Sequence, residues 1–190
     1  MKTALYFGSF NPVHNGHLGI AKYLIDNYLC DEVCFVVSPC NPLKERKDEL
    51  IDENVRLQML KLAIAAEPRF SVSDIEFRLP KPSYTIDTLR VLSAEYPQTV
   101  FSLVIGADNA ADFAKWKNYS EIISDYQIFV YPREGYIFDN QQFPQMELLN
   151  TELYDVSSTK IRHSLRKNPE LLRWLNPDVA DFILKNGLYE

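Results

Sequence analysis

The sequence predicts a doubly wound α/β fold with a mostly parallel sheet in one domain, and three observations carry that expectation. The first 38 residues read strand, helix, strand, a βαβ unit whose crossover is nearly always right-handed and implies parallel pairing. Short apolar runs then keep alternating with amphipathic stretches along the chain. Nothing in the 190 residues resembles an internal repeat, a low-complexity tract or a linker, so residues 1–190 are taken as a single domain.

The opening strand is Thr3–Phe7, an apolar run closed by a glycine-bounded turn. From Gly16 to Tyr28 the apolar positions Leu18, Ile20, Ala21, Leu24, Ile25 and Tyr28 recur every third or fourth residue, which gives a helix with one apolar face. Glu32–Ser38 is β-branched and aromatic and reads as a second buried strand. The proline-broken, charge-rich stretch Pro39–Asp52 reads as a surface loop over the carboxyl edge of the sheet. Glu53–Ala66 is helical up to the stop at Pro68, and Phe70–Phe77 is a strand candidate. Ser83, after Pro82, is the expected cap of a helix running to Tyr96; Val100–Ile105 is another buried strand, ending at Gly106. Tyr126–Tyr131 is the next strand, Glu147–Asp155 is irregular or strand, and Ser157–Lys167 and Asp178–Asn186 are helical.

Composition bounds the function. A hydrophobic fraction of 46% supplies a core at this length without disulfides or a structural metal. Twenty Lys and Arg against 26 Asp and Glu leave a net charge of −6, which argues against sequence-independent nucleic-acid binding. The amino-terminal stretch lacks the apolar run of a signal peptide, and the most apolar window, 101–107, has only strand length. A cytoplasmic protein with no membrane partner is therefore expected. Cys30, Cys34 and Cys40 are odd in number and lack zinc-site pairing, so they are read as structural. Neither GxxxxGK[ST] nor a GxGxxG after the first strand is present.

Chemistry concentrates in two places. His14 and His17 stand where the first strand turns into the first helix, whose unpaired N–H groups and positive dipole end favour an anion. Gly8 and Gly16 would let backbone and ligand approach, and Ser9 offers a hydroxyl and an N–H. A turn whose histidines cap backbone groups would look the same, and a zinc site would need His163 as third ligand; no metal site is assigned. Near the other end, Val156–Arg162 reads VSSTKIR at a helix start. Ser157 is the plausible cap, no acidic residue closes a capping box, and Arg162 shares a face with Ser158, ready to fork onto phosphate oxygens. An ordinary capped helix would also explain those serines. Lys44, in the loop after the second strand, could reach the same phosphates, or could simply be a solvated lysine beside Arg46 and Lys47.

Eleven positions, GSFNPVHNGHL, resemble the HxGH motif of the nucleotidylyltransferase superfamily, and VSSTKIR resembles its ISSTxIR motif with Val156 for Ile. PSYTIDTL at Pro82–Leu89, IGADNAADFAKW at Ile105–Trp116 and YPREGY at Tyr131–Tyr136 resemble, in this order, the bacterial nicotinate-nucleotide adenylyltransferases. The resemblance implies a Rossmann-like nucleotidyltransferase fold and adenylyl transfer from ATP to nicotinate mononucleotide, giving deamido-NAD and pyrophosphate. It further implies that His14, His17, Lys44 and Arg162 are the catalytic groups. With Gly8, Ser9, Phe10, Gly106, Ser158 and Thr159, the two histidines and Arg162 would form the ATP site. Thr85 and Trp116 would contact the nicotinate portion, Asp108 and Arg133 would help hold the mononucleotide, and Lys44 would reach it too. Asn11 departs from the Asp of many relatives: it keeps the turn-forming carbonyl and loses a charge. Mg²⁺ would arrive with the ATP phosphates. A homodimer is an expectation from the family alone. The alternatives are a nicotinamide-mononucleotide, pantetheine-phosphate or other small-phosphate adenylyltransferase, and, outside enzymes, a nucleotide-binding sensor.

Overall fold

The computed structural model describes residues 1–39, 50–165 and 168–189. Lys44 and Cys40, and with them most of the loop expected over 39–52, lie outside the described residues.

One six-stranded parallel sheet organises the chain. Its strands are β1 (Lys2–Gly8), β2 (Glu32–Val37), β3 (Phe70–Ser73), β4 (Val100–Gly106), β5 (Gln127–Tyr131) and β6 (Met146–Leu148), in the order β3-β2-β1-β4-β5-β6. Helices α1 (Asn15–Asp26), α2 (Glu53–Ile64), α3 (Thr85–Glu95), α4 (Ala107–Ala111), α5 (Tyr119–Asp125), α6 (Ser158–Ser164) and α7 (Pro177–Lys185) cover it. Successive side chains of a strand point to opposite faces, so β1 sends Ala4 and Tyr6 into one core and Leu5 into the other. Leu24, Leu60, Ile161 and Val179 fill the first core; Ile86, Leu89, Phe113 and Ile122 fill the second. Strands buried on both faces read as continuous apolar runs, which is why they were legible.

The order in which strands are added reverses between the central, parallel neighbours β1 and β4, the switch point where the carboxyl ends of the strands open a crevice. Both turns that leave it, Ser9–His14 after β1 and Gly106–Asp108 after β4, carry residues singled out above.

Several expectations are corrected. The strand begun at Phe70 stops at Ser73, where its pairing with Val36 ends, and a 3₁₀ turn at Ile75–Phe77 buries Ile75 and Glu76 instead. Ser83 is not the cap of α3: Tyr84 holds that position, and the Ser83 hydroxyl donates to Glu76. Ser157 does cap α6, accepting from the Lys160 N–H at 3.1 Å, and α6 ends at Ser164. Short elements went unread. α4, α5 and the 3₁₀ turns Phe113–Lys115 and Pro169–Trp174 span one or two turns each, too few for a 3.6-residue period to show. Cys30 and Cys34 have thiols pushed up to about 11, chiefly by burial, and so stay protonated and unreactive at neutral pH.

Candidate active site

A cleft of about 820 Å³ opens at the switch point. Its walls contain Gly8, Ser9, Phe10, His14, His17, Thr85, Gly106, Asp108, Trp116, Arg133, Ser158, Thr159 and Arg162, so these candidate residues meet in one place; Gly16 lies outside its walls, where a β-carbon would meet His14 and Tyr154.

The β1–α1 turn is set by packing. Phe10 adopts a left-handed φ of 45°, which costs a residue with a β-carbon about 1 kcal/mol or more. Its ring is wedged against His17, Tyr6 and Phe35 at centroid distances of 5.1, 5.7 and 5.6 Å. A β-carbon at Gly8 would stand 2.9 Å from that ring, so Gly8 makes room for Phe10. Gly8 also lines the cleft, as does Phe10, whose side chain is buried. The turn is tied to β2 by Arg56 of α2. This fully buried guanidinium donates to the carbonyls of Ser9 (2.6 Å), Ser38 (2.8 Å), Ile51 (3.0 Å) and Pro39 (3.3 Å).

His14 caps α1, and its backbone N–H donates to His17 Nδ1 at 3.2 Å. An accepting Nδ1 places the His17 proton on Nε2. The imidazoles lie 3.7 Å apart, centre to centre. Burial, with the Arg133 charge adding to it, lowers His14 to about 3, so His14 is neutral beside its neighbour. Its Nδ1 is buried without a hydrogen-bond partner.

The late segment closes onto the first one. Ser158 Oγ donates to the Pro12 carbonyl at 2.8 Å, and Arg162 Nη1 donates to the Asn11 carbonyl at 2.8 Å, joining positions 146 and 151 residues apart. Arg162 Nη2 also reaches Thr159 Oγ1 at 3.4 Å. The turn carbonyls, which would otherwise face an anion, are thereby neutralised by donors.

Across the cleft, Arg133 Nε stands 3.5 Å from Asp108 Oδ1. That is an ion pair without hydrogen-bond geometry, and both atoms are buried and unbonded. A β-carbon at Gly106 would collide with Asp108 Oδ1, so glycine is required there for the carboxylate to turn inward. Trp116 packs on Phe113 with rings 5.3 Å apart, and its Nε1 is buried without a partner. At the far wall no side chain caps α3, so its first N–H groups are left for a ligand beside Thr85.

Sequence reasoning missed Glu76, Lys115 and Lys117, which line the same cleft. Lys117 pairs with Asp87 at 2.7 Å and lies 4.7 Å from the Tyr84 ring centroid. Glu76 is buried in a 3₁₀ turn that sequence periodicity assigns to a strand, so only its position six residues before Pro82 of PSYT hinted at it. His163 is exposed on α6, and the described residues contain no group of three or more His, Cys, Asp or Glu, so the zinc triad considered for the three histidines is not assembled.

A parallel sheet reversing beside a donor-lined turn, with a second motif folded onto that turn, defines a nucleotidylyltransferase of the cytidylyltransferase-like class. A family model described as Cytidylyltransferase-like matches residues 5–164. Within that class the chain belongs to the nicotinate-nucleotide adenylyltransferase family. It is 44% identical over 185 residues to a probable nicotinate-nucleotide adenylyltransferase of Bacteroides fragilis, covering 97% of this chain and 92% of the relative. It is 40% identical to one of Flavobacterium psychrophilum over the whole of both chains. Among solved structures, a Plasmodium falciparum nicotinic acid mononucleotide adenylyltransferase complexed with NaAD superposes with a TM-score of 0.84. At 20% identity over 99% of this chain and 97% of that one, this likeness speaks for the fold. No helix among the described residues is long and apolar enough to cross a membrane.

Proposed function

We propose that this chain transfers the adenylyl group of ATP to nicotinate mononucleotide, forming deamido-NAD and pyrophosphate, and that the switch-point cleft is where it does so. The observation that carries this reading is the pair of bonds from Ser158 and Arg162 to the Pro12 and Asn11 carbonyls. They hold the turn after β1 and the start of α6 side by side, which supports reading both segments as parts of one phosphate site.

The phosphate oxygen of the mononucleotide attacks the α-phosphorus of ATP, a new P–O bond forms, the bond from that phosphorus to the bridging oxygen breaks, and pyrophosphate leaves with the electron pair. A phosphate monoester has a second pKa of about 6 and needs no general base at neutral pH. Placement and charge neutralisation then carry the rate. In this reading His17 donates from Nε2 and His14 stands beside it as a neutral imidazole, while Arg162 and Thr159 meet the phosphates with the backbone of Gly8, Ser9, Phe10 and Gly106. Ser158 acts mainly by holding the turn. Lys44 is assigned to the phosphates from its sequence position. Mg²⁺ enters as part of the MgATP substrate, held by the nucleotide phosphates.

Asp108 accepts from the ribose hydroxyls, and Arg133 meets the mononucleotide phosphate, which would satisfy the two unbonded atoms of their loose pair. Trp116 stacks on the pyridine ring, and the N–H of Thr85 at the uncapped start of α3 meets the nicotinate carboxylate. Backbone donors favour the acid because they would face the NH₂ of the amide. Purified protein given MgATP and nicotinate mononucleotide should release pyrophosphate together with deamido-NAD, identified by mass. Binding of both nucleotides without turnover would instead mark a sensor, and turnover only with phosphopantetheine would move the chain to another branch of the superfamily.

A further inference from the structure

The buried carboxylate of Glu76 does no work in the adenylyl transfer described above, yet it occupies a defined place. Glu76 is 3% exposed and lines the cleft wall next to Thr85. Ser83 Oγ donates to Oε2 at 3.0 Å, and Thr88 Oγ1 donates to Oε1 at 2.9 Å; both hydroxyl residues are buried. With Tyr84 as N-cap of α3, Ser83 is the residue before the cap and Thr88 is the fourth residue of the helix. Many helices fix the angle at which the chain enters them by packing two apolar side chains at those same positions against each other. Here both positions carry hydroxyls, and one carboxylate from a different element bridges them.

We propose that Glu76 is a positioning residue for mononucleotide recognition: its two-oxygen bridge between Ser83 and Thr88 fixes the turn into α3 and so aims the Thr85 N–H at the carboxylate of the substrate. The inference rests on the proposed substrate and adds a residue that governs its selection. The alternative, two apolar residues at Ser83 and Thr88, would hold the turn without burying a charge, and burying this one is unfavourable: desolvation raises the Glu76 carboxyl although the hydroxyls of Thr88, Ser38 and Ser83 pull it down. A rigid polar bridge sets direction more tightly than apolar contact does, because hydrogen bonds weaken steeply with angle.

The test is steady-state kinetics of wild type, Glu76→Gln and Thr88→Val, with nicotinate and nicotinamide mononucleotides as separate substrates and folding checked by thermal melting. Gln keeps one acceptor oxygen and puts an NH₂ where the second bond was; Val keeps the shape of Thr and removes one donor. Both variants should raise KM for the acid about 10-fold, leave KM for ATP and kcat within about 2-fold, and lower the acid-to-amide ratio of kcat/KM by the same factor. A folded variant of either kind that keeps the wild-type ratio overturns the inference, as does a loss confined to melting temperature. If one variant fails to fold, the other decides. A wild type that prefers the amide removes the substrate reading itself; a wild type that prefers the acid beside variants that do so equally removes only the role of Glu76.

Discussion

Tyr189 donates its phenolic proton to Asn11 Oδ1 at 2.8 Å, so a residue 178 positions away holds the side chain at the turn between β1 and α1. Asn11 is buried, its carbonyl is the acceptor for Arg162, and burial keeps the Tyr189 phenol well above its ordinary pKa, in the donor form. This gives the carboxamide at position 11 a specific partner: an amide oxygen accepts the phenol without placing a buried charge there. Tyr189→Phe removes one neutral hydrogen bond, about 1 kcal/mol, which lowers the melting temperature by roughly 2–4 °C at this chain length and raises KM for ATP severalfold. Thermal melting and ATP titration of the variant check both.

His17→Ala deletes the Nε2–H donor that the His14 N–H fixes in place. Removing one preorganised donor aimed at developing phosphate charge costs about 10²–10³ in kcat. The fold should survive, because His17 is only partly buried. Stopped-time product analysis beside a circular dichroism spectrum makes the comparison; an unchanged kcat would refute the role.

Stability should depend on pH through His14. Its folded pKa is lowered to about 3, mainly by burial, while the unfolded chain takes up the proton near pH 6.5. The contribution is therefore fully present above 6.5 and is lost as pH falls through the window toward 3, by at most about 1.4 kcal/mol per pH unit. The half-buried Glu67 carboxylate, held at about 2 by Arg69, loses its contribution only at the lower end of that window, and Glu76, raised by burial, gains stability as pH falls, so the fall between pH 6.5 and 5 is carried by His14. Urea midpoints should drop over that interval in the wild type, and the drop should vanish in His14→Asn.

Arg56 is the other end of the turn's support. Arg56→Met leaves the carbonyls of Ser9, Ser38, Ile51 and Pro39 without the guanidinium, a loss of at least about 3 kcal/mol. Arg56→Lys recovers only part of it, because an ammonium cannot fork to carbonyls from several directions. Urea denaturation of both variants at neutral pH measures the difference.

How much of this was legible in the sequence follows from the physics of each element. The strands around the switch point could be read because both faces are buried, and the HxGH and SSTKIR segments because helix starts and their polar side chains are local in sequence. What escaped was non-local. The Ser83 hydroxyl serves a buried carboxylate seven residues back instead of its own helix, and nothing in the pattern around either residue foretells that pairing. That a β-carbon at Gly8 would also meet the Phe10 ring was not legible, because no propensity suggests the left-handed backbone of Phe10. The tie between Tyr189 and Asn11 depends on the whole fold being closed. Lys44 lies outside the described residues, and its role stays a proposal from sequence.

In the proposed reading this cleft selects nicotinate mononucleotide by its carboxylate and adenylylates it. Pyrophosphate release by the purified protein, with the acid and the amide mononucleotides assayed side by side at saturating MgATP, tests it most directly. kcat/KM for the acid should stand at least about 10-fold above that for the amide, a difference of about 1.4 kcal/mol in transition-state binding. Equal or greater turnover with the amide would contradict it.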